Sequence, residues 1–349
     1  MSPSTCCGEK KSGMLSRFLT GKMIETPAGE VPIVSTKYTW RDVLGTWRAR
    51  WGINRMNYRV EPGLYAVGSP DENSPLFAGA NYKMSFDCLR RALSGLDAWI
   101  LVLDTGGVNV WCAAGKGTFG TQNLMKSIAA LKLNRLVAHR TVIVPQLGAS
   151  GVSGREVQAR VGFSVIFGPV RAADIPAFLK NGMEATPEMR RVRFDLPERA
   201  AVIPVDLVQA MSATIKALGF LFLLDILRIG GFTPQNTTPA LLAVLTGVVL
   251  VPLILPFMPV RSFALKGAIA GLAVPVFCYA TFRSAASWRE VAAGFLLLPV
   301  VASWFALNFT GSTTFTSPSG VNRELKIALP LYLAAAVAGS VILISGVFS

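Results

Sequence analysis

Charge is scarce in this chain, and histidine is nearly absent. Only 15% of its 349 residues are Asp, Glu, Lys or Arg, against about a quarter in ordinary soluble domains. The shortage is greatest toward the C-terminus. Residues 217–349 hold three acidic and seven basic side chains, a net charge of +4, whereas residues 1–216 carry +10. A polar portion and a membrane-like portion therefore meet near Lys216. The single histidine, His139, excludes any site that needs two imidazoles. The five cysteines (Cys6, Cys7, Cys88, Cys112 and Cys278) contain no C-x-x-C pair, which argues against an iron–sulfur or zinc centre built from this chain. They form no spaced disulfide framework either, as expected in a reducing compartment. The N-terminus lacks an apolar h-region, so no cleavable signal peptide is expected. The net charge is +14. With no zinc framework, basic helix or RNA-binding aromatic motif beside it, this charge does not read as nucleic-acid binding. A basic domain tied to a bilayer suits the anionic cytoplasmic leaflet.

What is present falls into three parts. Residues 1–37 are small, polar and charged, and read as a flexible N-terminal arm. Residues 38–204 alternate short apolar runs with helical patterns. A Trp/Arg-rich stretch at 38–57 reads as a helix packing Trp40, Trp47 and Trp51 on the domain; an interfacial membrane helix is the alternative. Strands are expected at 64–67, 98–103, 142–144, 164–167 and 192–194, and helices at 84–96, 122–133, 154–161 and 173–180. Continuous apolar strands between helices predict an α/β domain with a Rossmann-like, doubly wound parallel sheet. Ligands in such sheets lie at the carboxyl ends of strands, here the Gly-rich loops 104–121 and 145–154. Residues 205–349 form an all-α part with five candidate spans, at 207–227, 239–259, 263–281, 291–308 and 327–348, each near the ~20 apolar residues a bilayer requires. Asp225 and Arg228 read as a pair anchoring one span end. The basic first domain places itself in the cytoplasm and the chain in the inner membrane.

The most informative segment is NVWCAAGKGTFGT at 109–121, directly after the apolar run 98–103. Asn109 can cap a short helix that Gly115 and Gly117 end. Cys112 lies in that helix, near its N-terminus and near Lys116, a setting that favours the thiolate. A thiolate at the mouth of a ligand cleft is a nucleophile or a metal ligand, and a buried core cysteine remains the plain alternative. A nucleophile usually needs a base. His139, the one imidazole, is expected at the amino end of the sheet, so geometry favours ligation.

Residues 109–116 resemble the cap-helix motif N-(V/I)-W-C-A-(A/S)-G-K of the corrinoid proteins of microbial mercury methylation, the HgcA family. The resemblance extends to ANYKMSFDCLR at 80–90, VPQLGASGV at 144–152, FGPVRAADIPAFL at 167–179 and NFTGSTTFTSPSGV at 308–321. The polar domain is also similar to the corrinoid-binding domain of the corrinoid iron–sulfur protein large subunit of the acetyl-CoA pathway. That subunit carries a four-cysteine cluster domain with no counterpart in this sequence.

The resemblance implies a cobalamin-type corrinoid with Cys112 as the cobalt ligand. It implies that Asn109, Val110, Trp111, Ala113, Ala114, Gly115, Lys116 and Gly117 form the cap over the ring. Thr105, Thr118, Phe119, Gly120 and Thr121, with Gln146, Gly148, Ala149 and Gly151, would contact the ring edge or the nucleotide tail. A soft thiolate opposite a methyl group pushes electron density toward it, which favours delivery of methyl with its electron pair to a soft cation such as Hg(II). The cycle then needs reduction from outside, implying a ferredoxin with two four-iron clusters (HgcB-type), and a methyl-folate-linked methyl donor. Cys6 and Cys7 are candidate Hg(II) thiols, Cys88 reads as core, and Cys278 as a small apolar residue in a span. Two other classes stay open. A dinucleotide-dependent oxidoreductase is disfavoured because no G-x-G-x-x-G follows the first strand, and a transporter because polar residues inside the spans are sparse.

Overall fold

The computed structural model describes residues 17–226, 232–282, 287–309 and 318–345. Cys6, Cys7, Arg228 and residues 310–317 lie outside them. The chain divides into two units, one holding residues 1–49 and 53–192, the other 50–52 and 193–349.

The first unit is built on a seven-stranded sheet, in the order β1-β2-β3-β5-β4-β6-β7. The strands are β1 (Leu19–Thr26), β2 (Gly29–Val34), β3 (Gly63–Val67), β4 (Leu76–Ala80), β5 (Ala98–Leu103), β6 (Thr141–Pro145) and β7 (Ser164–Gly168). The expected parallel α/β arrangement is found in β5-β4-β6-β7. The sheet as a whole is mixed, because β3 pairs antiparallel with β5 and β1 antiparallel with β2. Residues 19–34, expected in a flexible arm, supply β1 and β2. No strand forms at 192–194.

Side chains alternate across the sheet as the pleat requires. Ala78, Ala80, Leu101, Leu103, Val142 and Val144 face one core, closed by α4 (Thr121–Ala130) and α5 (Gly154–Val161). Phe77, Ile100, Val102 and Ile143 face the other, closed by α2 (Lys83–Ala92) and α6 (Ile175–Lys180). Helices on both faces make the fold doubly wound. The chain leaves β4 for β5 on one side and reaches β6 and β7 on the other, so the winding reverses between β4 and β6. The short helix α3 (Val110–Gly115) stands after the carboxyl end of β5.

Helix α1 (Trp40–Arg50) corrects the expected Trp packing. Trp40 and Trp47 are 68% and 61% exposed, while Ala49 on the opposite face is buried. That inner face is fixed by charge. Asp42 pairs with Lys83 at 3.3 Å and Arg90 at 3.1 Å, and both cations also hold Asp87, at 2.6 and 2.7 Å. The Lys83, Phe86, Asp87 and Arg90 positions form the buried face of α2. Cys88 therefore points outward and is exposed, where core burial was expected.

The second unit is helical. It contains α7 (Leu196–Ile226), α8 (Pro234–Leu245), a π-helical turn (Thr246–Leu250), α9 (Val251–Ile254), α10 (Phe263–Phe282), α11 (Trp288–Asn308) and α12 (Pro318–Ser345). Among the described residues, five stretches are long and apolar enough to cross a membrane: Leu196–Leu223, Pro234–Phe257, Phe263–Thr281, Trp288–Asn308 and Ser319–Ser345. The first begins well before the expected boundary at 204, because Pro204 sits inside α7 and does not end it. Gly267 and Gly271 let α10 lie directly on α11: a Cβ at Gly271 would come within 2.7 Å of Pro299 Cα. This small-xxx-small spacing is the usual device for close helix approach in lipid. Ser303 Oγ hydrogen-bonds Ala264 O at 2.5 Å and Tyr332 Oη at 2.6 Å, tying α10, α11 and α12 together.

Candidate functional site

The winding reverses between β4 and β6, and open α/β sheets bind ligands in the crevice at the carboxyl ends of the strands at such a point. Three connections border it. The first is short and begins with Asn81, 1% exposed. Asn81 Oδ1 accepts from Thr105 N (3.0 Å), Thr105 Oγ1 (2.8 Å) and Gly107 N (2.9 Å), and Asn81 Nδ2 donates to Asp104 Oδ1 (3.0 Å). One buried amide thus fixes the loop that runs from β5 to α3. Asn81 was not among the residues expected at the site, although it lies within the family-like segment 80–90. Asn123 adds a second clamp, its Nδ2 donating to Asp104 O and Thr118 O at 2.8 and 2.7 Å.

The second connection carries α3. Asn109 is its N-cap, as expected: its Oδ1 accepts from Cys112 N at 2.9 Å. Val110, Ala113 and Ala114 are buried and seat the helix. Trp111 (38% exposed) and Cys112 face outward. Gly115, Lys116, Gly117 and Thr118 are exposed and form the turn out of the helix, with Gly117 at φ +79°. Phe119 is fully buried and its amide bonds back to Ala113 O at 3.1 Å.

The third connection follows β6. Gln146–Gly148 form a 3-10 turn that packs against α3, with Ala149 as its C-cap. A Cβ at Gly148 would meet the Phe119 ring at 2.6 Å, and one at Gly151 would clash with Phe119 O and lie 3.1 Å from Ala114 Cα. Gly148 makes room for the Phe119 ring, and Gly151 lets backbone run against backbone. Thr121 closes the join: its amide donates to Gly151 O (3.0 Å), and its Oγ1 accepts from Ser153 N (2.8 Å).

Among the expected site residues, Trp111, Cys112 and 115–118 thus share one exposed surface. Thr105, Val110, Ala113, Ala114, Phe119, Gly120 and Gly148 lie buried beneath it. Gln146 holds an unusual position. Its Oε1 is buried and accepts no hydrogen bond, a state that costs stability unless a ligand donor satisfies it. His139 precedes β6, at the opposite end of the parallel strands from Cys112. Its Nδ1 accepts from Thr141 N (3.0 Å) and its Nε2 lies 3.1 Å from Ser74 O. Both ring nitrogens are thus committed to structure. His139 also borders a mainly apolar cavity of about 410 Å³ with Leu76, Leu179 and Met183. That cavity sits at the amino ends of the strands, away from the crevice.

Residues 38–179 match the family model for the CO dehydrogenase/acetyl-CoA synthase delta subunit (CdhD). Similar proteins include the acetyl-CoA decarbonylase/synthase complex subunit gamma of Methanopyrus kandleri, 34% identical over 124 residues, 35% of this chain and 26% of that protein. The corresponding subunit of Methanocaldococcus jannaschii is 32% identical over 127 residues, 36% of this chain and 26% of that one. The corrinoid/iron–sulfur protein large subunit of Moorella thermoacetica is 27% identical over 127 residues, 36% of this chain and 28% of that one. The α/β unit is similar to this group over the matched segment. The relationship spans about a quarter of the relatives' length, 26% for the first two. It covers the segment that carries the crevice and α3, and stops short of the five apolar helices.

Proposed function

We propose that this chain is a membrane-anchored corrinoid methyltransferase that passes a methyl group to Hg(II), with the α/β unit in the cytoplasm. The observation that carries this reading is the placement of Cys112. It is exposed on a capped, six-residue helix at the ligand-binding end of a doubly wound sheet.

The residues present suit a corrinoid. Cys112 would ligate cobalt, and Trp111, Lys116 and Thr118 would flank the macrocycle. The buried Gln146 Oε1 offers an acceptor for an amide N–H. Gly148 and Gly151 let the loop after β6 pack directly on Phe119 and Ala114, which holds α3 in place beside it. When bound, a corrinoid supplies a cobalt-carried methyl group and the redox chemistry to renew it.

The chain's own contribution is positioning. Asn109 holds the Cys112 amide, so the first turn of α3 is pinned and the thiol is presented outward. Asn81 and Asn123 fix both ends of the segment that carries α3. In this proposal electrons come from a two-cluster ferredoxin and the methyl group from a methyl-folate-linked donor. A thiolate ligand is soft and strongly donating, which matches a soft cation as acceptor.

A second reading is favoured by the names of the relatives: a corrinoid methyl carrier serving an acceptor other than mercury. Both readings meet in one assay. The full chain in detergent, loaded with corrinoid, is supplied with ferredoxin, methyl donor and Hg(II), beside Cys112→Ala. Methylmercury from the wild type alone supports the first reading. Corrinoid binding without methylmercury transfers support to the second, and failure to bind corrinoid removes both.

A further inference from the structure

Helix α1 turns its apolar side outward. Trp40, Val43, Leu44 and Trp47 recur at the spacing that places residues on one helix face, and they are 68%, 49%, 48% and 61% exposed. The opposite face is the docked one. Ala49 is buried, Asp42 is held by Lys83 and Arg90, and a Cβ at Gly45 would come within 2.6 Å of Tyr58 Oη. The exposed stripe therefore cannot be exchanged for the inner face by rolling the helix. Beyond α1 the chain continues with Ile53 and Met56, 51% and 66% exposed.

The charges are placed as distinctively as the rings. Stepping 100° per residue, Arg41 and Arg48 fall on one flank of the stripe and Arg50 on the other. No acidic residue lies on the stripe or on those flanks, because the one carboxylate of α1, Asp42, faces inward. Arg41 also lies over the Trp40 ring, 5.4 Å from its centroid. An apolar, Trp-bearing stripe bordered by arginines is the arrangement of helices that lie in the plane of a bilayer surface. The rings enter the headgroup–acyl boundary, and the guanidinium groups remain at the level of the anionic headgroups.

We propose that α1 is an interfacial helix that lies on the lipid surface, with Trp40, Val43, Leu44 and Trp47 in the boundary and Arg41 and Arg48 on anionic headgroups. The α/β unit then meets the membrane through a fixed face of its own. The Asp42–Lys83–Arg90 clamp fixes α1 on the α/β unit. The placement rests on the five apolar helices being membrane spans, but not on the corrinoid reading.

The test uses the full chain carrying fluorotryptophan, in nanodiscs of mixed zwitterionic and anionic lipid, read by fluorine NMR. Trp40→Phe and Trp47→Phe assign two resonances. Trp99, buried in the sheet, is the internal negative control, and Trp304, on α11, reports insertion of the spans. A lipid with a spin label high in its acyl chain and an aqueous gadolinium chelate are added in turn. The expected result is loss of the Trp40 and Trp47 signals with the labelled lipid and their survival with the chelate. Arg41→Glu with Arg48→Glu should restore the signals in labelled discs. Signals that survive the labelled lipid and vanish with the chelate overturn the proposal. Survival with both reagents also overturns it, and a doubled particle mass would then give the face to a second copy. If Trp304 too escapes the labelled lipid, the membrane reading itself has failed; if Trp304 broadens and Trp40 does not, only the present proposal has. Signals in the double-Glu variant that remain broadened refute the role of headgroup charge.

Discussion

Asn81→Ala is the substitution that most sharply separates the scaffold of the site from its chemistry. In the wild type, Asn81 Oδ1 satisfies the amides of Thr105 and Gly107 at 3.0 and 2.9 Å, both in buried residues. Alanine leaves these two donors without an acceptor. The Thr105 hydroxyl keeps its bond to Val108 O. Each orphaned buried donor costs about 1–3 kcal/mol, and partial relaxation of the loop brings the total to about 3 kcal/mol. The cost falls on the segment between β5 and α3, which opens before the sheet does. At about 1.4 kcal/mol per tenfold, amide exchange across 104–115 should quicken on the order of 100-fold. Hydrogen-exchange mass spectrometry reads this directly, with Thr141–Pro145 of β6 as the reference that should not change. Corrinoid affinity should fall in the same variant while Cys112 is untouched. Unchanged exchange in 104–115 would refute the view that Asn81 holds the loop. Equal acceleration in β6 would show that Asn81 supports the sheet and not the site.

Other outcomes follow from particular contacts. Gly151→Val places a side chain against Phe119 O and Ala114, so α3 should be displaced and corrinoid binding lost, measured by cofactor retention on a desalting column. Gly271→Leu drives a side chain into Pro299 on α11; overpacking of this kind costs about 1–3 kcal/mol or more, and the detergent-solubilised chain should melt earlier while the isolated optical signature of bound corrinoid is unchanged. Burial alone would raise the Asp42 carboxyl, but hydrogen bonds from Thr39 and the charges of Lys83 and Arg90 outweigh it and hold the group below its usual 3.8. A carboxylate depressed in the folded state contributes stability above its unfolded value and loses it as pH falls through the lower folded value. Docking of α1 should therefore weaken on acidification below about 3.8 and not near neutrality. Exchange protection of 40–50 would report it, and Asp42→Asn should abolish the pH dependence.

The strands legible in the sequence were those buried on both faces, such as AWILVL at Ala98–Leu103, where every residue is apolar and bulky. β4 escaped notice because LFAGA carries little β propensity: Ala78, Gly79 and Ala80 form a strand only because Leu101, Val102 and Leu103 pair beside them. β1 escaped for the opposite reason, since most of its side chains are exposed, and β2 because Val31 and Val34, its buried residues, are too far apart to show an alternation. The helix at 40–50 was visible as a period but not as an orientation; a Trp stripe has the same spacing whether it faces the core or the outside, and only the Asp42 clamp decides which. At the site, the Asn109 cap and the glycine joints were readable, because a cap or a close backbone approach restricts the residue type. The role of Asn81 was not readable, since its partners lie more than twenty residues away and meet it only through the pairing of β4 with β5.

The most direct measurement is cobalt X-ray absorption of the corrinoid-loaded full chain, in the wild type and in Cys112→Ala. The account predicts a sulfur neighbour at bonding distance from cobalt in the wild type, lost in the variant, with corrinoid still retained by the surrounding backbone. An identical cobalt environment in both proteins, without sulfur, would contradict the assignment of Cys112 as the ligand.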